Sequence, residues 1–154
     1  MTAHRENDPL GGLWQQFPTP MASRFLAQMG WDFVVLDLQH GCLDYETVYE
    51  CIHTLRSCGC RPWVRTTIGN YSEINKVLDL GAQGVVVPMI NSREEAVMAA
   101  ASAKYPPAGG RSFGGDSWYH YGDDYAGTAN ESTCECCRGD PFRAWSRWLL
   151  RRSD

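Results

Sequence analysis

Four side chains in this sequence have the types and spacing to move a proton next to a carbonyl. Asp37, Gln39 and His40 close the run VVLDLQHG (34–41), and Arg65 closes PWVR. A histidine with a carboxylate close by can act as a base near neutral pH. An arginine can hold a carboxylate through two parallel hydrogen bonds. Together they suit proton abstraction beside the carbonyl of an acidic substrate. Trp14 and Gln15 in GLWQQF, and Pro88 and Asn91 in GVVVPMIN, are further candidates for the same edge. Each residue taken singly has a plainer explanation: His40 before Gly41 could make turn hydrogen bonds, Asp37 could cap a backbone N–H, and Arg65 could be the solvated end of a strand. The case for a site rests on their common position.

That position follows from periodicity. From residue 10 to about 104, short β-like runs alternate with helical patterns, one pair every 25 to 30 residues or roughly so, which is the rhythm of βα units and a parallel sheet. Strands are expected over 11–17, 31–38, 61–67 and 84–90. Thr19 with Pro20, Asp44, and Ser92 with Glu95 read as helix starts, and Gly30, Gly59 and Gly81 as helix ends. In such a sheet, sites collect where strands end and helices begin. Asp37, Gln39 and His40 follow strand two, Arg65 ends strand three, and Pro88 and Asn91 lie at the end of strand four. YPPAGGRSFGG (105–115) breaks regular structure, and its GGRSFGG is a weak match to a phosphate cradle because it follows a helix. A short helix is expected over about 122–130. From 131 to 154 the βα rhythm stops: five Arg and no Lys, Cys134, Cys136 and Cys137 within four residues, and no β-period strand. Trp145, Trp148, Leu149 and Leu150 predict a short C-terminal helix. The expected organisation is therefore one α/β domain over 1–130 and an atypical tail over 131–154, such as a change of reading frame would produce.

Composition excludes several classes. The 154 residues carry a net charge of −4 and a pI near 5.5, which gives no basic footprint for nucleic acid. The longest apolar runs, FVVL and GVVVPMI, are far short of the roughly 18 to 20 residues that cross a bilayer. The polar start MTAHRENDPLGG lacks the pattern of a secretory signal, so a cytoplasmic location is expected. Seven cysteines, an odd number, are expected as free thiols, and the C-x-C-C and C-x-C spacings are poor matches to zinc sites. A small cysteine-based metal module therefore ranks last. His4, His53 and His120 receive no role.

Four segments in order over residues 11–130 carry a family likeness. WDFVVLDLQHG, PWVRTT, LDLGAQGVVVPMINSREEA and KYPPAGGRSFGG resemble consecutive motifs of the HpcH/HpaI aldolase/citrate lyase family, the 2-keto-3-deoxy acid (class II pyruvate) aldolases. The resemblance implies a (β/α)8 TIM barrel, of which this chain would supply roughly the first four βα units, since full barrels take ~250 residues. It implies a carbon–carbon lyase that splits a 2-oxo-4-hydroxy acid into pyruvate and an aldehyde, with a divalent metal (Mg, Mn or Co) stabilising the enolate, in a homo-oligomer. By motif, His40 resembles the general base, acting through a water, and Asp37 the carboxylate that orients it. Arg65 resembles the arginine that binds the keto acid, Trp14 a residue lining the pocket, and Gln39 stands where many members have Glu. The segments that carry the family's metal ligands, of Q-I-E-T type on strand five and G-P-x-D-L type on strand six, are not found. Neither Glu131 nor Glu135 sits in such a motif, so no metal ligand is assigned. Strands one and four would then be open edges. The rival reading is a truncated, non-catalytic fragment of such an aldolase that lacks the metal site.

Overall fold

The computed structural model describes residues 10–114, 125–132 and 134–138. In chain order these form β1 (Gly12–Gln15), α1 (Pro20–Gln28), β2 (Phe33–Asp37), α2 (Tyr45–Ser57), β3 (Arg61–Arg65), α3 (Tyr71–Asp79), β4 (Gly84–Pro88), α4 (Arg93–Ala103), α5 (Tyr125–Ser132) and β5 (Cys134–Arg138). All five strands are parallel, in the spatial order β1-β2-β3-β4-β5. Sequential parallel neighbours joined by helices are the repeating unit of a βα barrel.

The helix starts follow local chemistry. The Thr19 hydroxyl accepts from the Met21 N–H with Pro20 in the first turn, the Asp44 carboxylate accepts from the Thr47 N–H at 2.8 Å, and Ser92 and Glu95 form a reciprocal capping box. At the end of α2, Gly59 takes a φ of 76°, a left-handed conformation that costs glycine nothing.

The two faces of the sheet have separate cores. Val34, Leu36, Val64, Val85 and Val87 pack under Val48, Cys51, Ile52 and Leu55 of α2 and Ile74, Val77 and Leu78 of α3. Phe33, Val35 and Trp63 form the other face, with the Phe33 and Trp63 rings stacked at 4.2 Å. Gly84 pairs with Trp63 across the sheet, and a Cβ there would lie 2.7 Å from the indole, so the ring fits only over glycine. All five residues of β2 are buried, as expected of a strand covered on both faces.

The expectation of no strand beyond 130 is corrected for the described part of the tail. Cys134–Arg138 runs parallel to β4, with Gly84 opposite Cys134 and Pro88 opposite Arg138. CECCR gives no alternating or β-branched signal, and pairing to the free edge of β4 overrides that weak propensity. Strand four is thus not an open edge; β1 has no outer strand partner among the described residues. The expected C-terminal helix around Trp145, Trp148, Leu149 and Leu150 lies outside the described residues. No described helix is long and apolar enough to cross a membrane.

Candidate active site at the carboxyl edge of the sheet

Asp37 and Arg65 are partners in the β2–β3 register, at the last position of each strand and on the face that carries the Phe33–Trp63 stack. Side chains opposite one another on adjacent strands meet, and these two do so as a pair of charges. Arg65 Nε donates to Asp37 Oδ1 at 2.8 Å, and Arg65 Nη2 donates to Oδ2. Gln16, just past β1, donates from Nε2 to Oδ2 at 3.0 Å, and the backbone N–H groups of Gln39 and His40 each donate to Oδ1 at 3.1 Å. Five donors converge on one fully buried carboxylate. Burial alone would push its pKa up, but the Arg65, Gln16 and His40 hydrogen bonds outweigh burial and hold Asp37 below its ordinary value.

Asp37 does not use up the donors of Arg65. The guanidinium carries five N–H donors, two of which go to Asp37. The remaining donors lie on the Nη1 side, and the Arg65 side chain stays 15% exposed while Asp37 is at 0%. Trp14, half-exposed, lies against the guanidinium with Cζ 4.5 Å from the ring centroid. An arginine neutralised on one edge and backed by an indole offers a fixed fork to a second anion.

His40 differs from its expected arrangement. Its ring is exposed with no hydrogen-bond partner among the described residues, and Asp37 holds it through the main-chain N–H. The reason is stoichiometric: a carboxylate has about four lone-pair sites, and Asp37 already receives five donors. Asp37 therefore positions the loop that carries His40, not the imidazole itself. Gln39 shares that anchor through its own N–H, and its Oε1 is buried without a hydrogen-bond partner.

Other candidates divide. Gln15, next to Trp14, faces the helices because successive strand residues alternate sides. It is spent there, donating to the Phe17 and Thr19 carbonyls and accepting from the Ser23 hydroxyl at 2.8 Å. Asn91 is likewise spent, donating from Nδ2 to the Met89 carbonyl while its N–H donates to Glu95. Between Pro88 and Asn91, Met89 adopts a φ of 59°, a strained conformation for a long side chain at the end of β4. His53 packs edge-on against Tyr49 in α2. His4 and His120 lie outside the described residues.

Two features escaped the sequence. Gln16 reads there as one more polar residue ending a strand; the doubled Gln of GLWQQF, one facing each way, is the signal that could have found it. The second is a buried carboxylate, Glu73 in the first turn of α3. It accepts from the Tyr45 hydroxyl at 2.6 Å, from the Thr67 hydroxyl at 2.9 Å and from the Thr67 N–H. Its hydrogen bond, with burial, pushes the Tyr45 hydroxyl up to about 12.

The described residues supply no ready cluster of ligands for a divalent metal. No group of three or more His, Cys, Asp or Glu among them could hold one, and the nearest carboxylate, Asp37, is saturated. Glu135 is in register with Val85, one position from Val86, the residue opposite Arg65.

The model of the HpcH/HpaI aldolase/citrate lyase family matches residues 11–137. The chain belongs to that family. A hydroxypyruvate/pyruvate aldolase of Rhizorhabdus wittichii is 36% identical over 132 residues, covering 85% of this chain and 53% of the relative. A 2-keto-3-deoxy-L-rhamnonate aldolase of Salmonella gallinarum is 30% identical over 135 residues, covering 84% and 50%. Among solved structures, the citrate synthase SbnG superposes with a TM-score of 0.73 at 30% identity, over 85% of this chain and 50% of that one. An HpcH/HpaI aldolase of Desulfitobacterium hafniense gives 0.79 at 21% identity, a likeness of fold alone. The chain spans about half the length of the curated relatives it matches. The family and the βα half-barrel architecture therefore stand as expected.

Proposed function

We propose that this chain carries the keto-acid-binding edge of an aldolase that cleaves 2-keto-3-deoxy (2-oxo-4-hydroxy) acids reversibly to pyruvate and an aldehyde. The observation that carries this reading is the Asp37–Arg65 pair: a cation fixed on one edge by a buried carboxylate, backed by Trp14, and itself left partly exposed. That is a receptor for the carboxylate or the developing enolate oxygen of a 2-keto acid. His40 stands exposed in the loop anchored to the same Asp37.

In the cleavage direction, the base, His40 directly or through a water, takes the proton of the 4-hydroxyl. The C3–C4 bond breaks as C4 becomes an aldehyde carbonyl, and its electron pair passes into the pyruvate enolate. The proton then returns to C3. Arg65 binds the substrate and stabilises the negative charge that develops, while Trp14 and Gln39 line the pocket. The names of the aldolase relatives support the substrate class. A divalent metal, Mg, Mn or Co, belongs to the family resemblance; its chemistry when bound is to chelate pyruvate and stabilise the enolate, but the described residues supply no donor set for it. The small-molecule keto acid and aldehyde, a homo-oligomer and a cytoplasmic location complete the proposal.

The test is pyruvate release from a panel of 2-keto-3-deoxy acids by the purified chain, with manganese or magnesium and with chelator. Chelator-sensitive turnover that disappears in His40→Ala supports the reading. Folded protein without turnover favours the second reading, a non-catalytic fragment, which the saturation of Asp37 supports.

A further inference from the structure

Two loops bring the candidate residues to the edge of the sheet. The β2–α2 loop carries Gln39 and His40 and ends as α2 begins at Tyr45. The β3–α3 loop begins directly after Arg65 with Thr66 and Thr67. Asp37 joins the near ends of these loops. Glu73 adds a second link between them, bonding to Tyr45 on one oxygen and to the N–H and hydroxyl of Thr67 on the other.

This arrangement is not ordinary helix capping. Glu73 is the third residue after the N-cap, Asn70, and in a capping box its carboxylate would return to the Asn70 N–H. It reaches further back instead, to Thr67, two residues beyond Arg65. The Asn70 side chain makes no capping bond and accepts instead from the Ser72 hydroxyl. A carboxylate only 5% exposed with three donors on it is a costly group to bury, tolerated where each donor is fixed. Lys76, one turn on, lies over the Tyr45 ring at 5.6 Å and closes the cluster.

We infer that Glu73 is a positioning residue: it clasps the start of α2 to the β3–α3 loop and so fixes Arg65 and the His40 loop relative to one another. The inference rests on the keto-acid reading of that edge for its functional consequence, and on geometry alone for its structural one. Asp37 sets the near contact between the two strands, and Glu73 denies the loops behind it the freedom to splay. Without the clasp, Thr67 loses its anchor, and the guanidinium no longer sits squarely between Asp37 and Trp14.

The test is NMR of the full chain, wild type against Glu73→Gln and Tyr45→Phe, with Ile74→Val as a control that loosens the same helix without touching the clasp. Proton exchange of the Arg65 Nε–H reports how firmly the arginine is held, with no ligand required. Exchange should accelerate about fivefold or more in Glu73→Gln and less in Tyr45→Phe, the size expected of one or two hydrogen bonds. It should not change in Ile74→Val. Titration with sodium pyruvate should then give a Kd raised about fivefold in Glu73→Gln and unchanged in the control. If the Thr67 N–H loses protection in Glu73→Gln while the Arg65 Nε–H does not, Glu73 is a local staple and the inference is overturned. If pyruvate moves no resonance of the wild type, the keto-acid reading fails, and the Arg65 exchange comparison still decides the clasp.

Discussion

Two of the arginine–aspartate pairs among the described residues look alike and are built in opposite senses. In each, a guanidinium bonds a carboxylate and lies over an aromatic ring at 4.5 Å: Arg65 with Asp37 and Trp14, and Arg111 with Asp79 and Tyr105. At the sheet edge the carboxylate side chain is at 0% exposure and the arginine at 15%. Beside α3 the arginine is at 0% and the carboxylate at 20%. The first pair leaves its arginine partly exposed. The second buries its own, with Arg111 also donating to the Tyr125 hydroxyl at 3.1 Å and its N–H bonded to the Lys104 carbonyl, so that it ties the loop after α4 to α3 and α5. The same ion pair thus leaves its arginine partly exposed or buries it, according to which partner is withheld from solvent.

The titration of the two aspartates separates them further. Burial would raise Asp37, but the hydrogen bonds it receives bring it below its ordinary value, whereas burial pushes Asp79 up by more than Arg111 pulls it down.

The largest effect comes from Arg111→Ala, which removes the bond to Asp79 and the centre of the Tyr105–Tyr125 cluster. The expected loss is about 3 to 5 kcal/mol of unfolding free energy, read from urea denaturation. Arg65→Lys should act the other way round. It keeps the charge but loses the fork that spans Asp37 Oδ1 and Oδ2, so pyruvate affinity falls roughly tenfold in titration while stability changes by only about 1 kcal/mol.

pH sharpens the contrast by sign. Asp37 holds its proton less tightly in the folded chain, so its stabilisation is complete above its ordinary value of 3.8 and is lost as the pH falls below it. Asp79 holds its proton more tightly when folded, so wild type gains stability relative to Asp79→Asn as the pH falls toward 3.8. Urea unfolding of wild type, Asp37→Asn and Asp79→Asn across acid pH checks both slopes, and slopes of the same sign would refute the distinction. The smallest effect belongs to Trp14→Phe. A weaker ring face behind Arg65 should cost about 0.5 to 1 kcal/mol of pyruvate binding, measured by the same titration.

How much of this was legible in the sequence depends on the range of the interaction. β1 to β4, their helices and three of the four helix caps are local patterns, and each stands within a few residues of where the spacing puts it. Asp37 and Arg65 were legible as neighbours on one edge because both end apolar strand runs, and strand ends of a parallel sheet share that edge. The bond between them was hidden, since in the sequence Asp37 reads toward His40 and Arg65 toward the substrate. The bond between Asp37 and the His40 main chain was hidden too, since the sequence shows a carboxylate near an imidazole without showing that other donors occupy it. Arg111 was hidden for another reason. Its partners, Asp79 and Tyr125, stand 32 and 14 residues away, and its glycine-rich surroundings invite a phosphate-loop reading that the burial of its side chain rules out. β5 was hidden because CECCR has neither branched residues nor alternation, and only the open edge of β4 explains its conformation. Glu73 was illegible because its chemistry looks backwards along the chain, past the position where a capping box would spend it.

The central claim is that Arg65, and not Arg111, meets the substrate. It is tested most directly by titrating sodium pyruvate into folded wild type, Arg65→Ala and Asp79→Asn and reading the Kd of each. Wild type and Asp79→Asn should bind pyruvate, and Arg65→Ala should not. Equal affinity in wild type and Arg65→Ala would contradict it, and would leave the arginine at the sheet edge as a second structural lock.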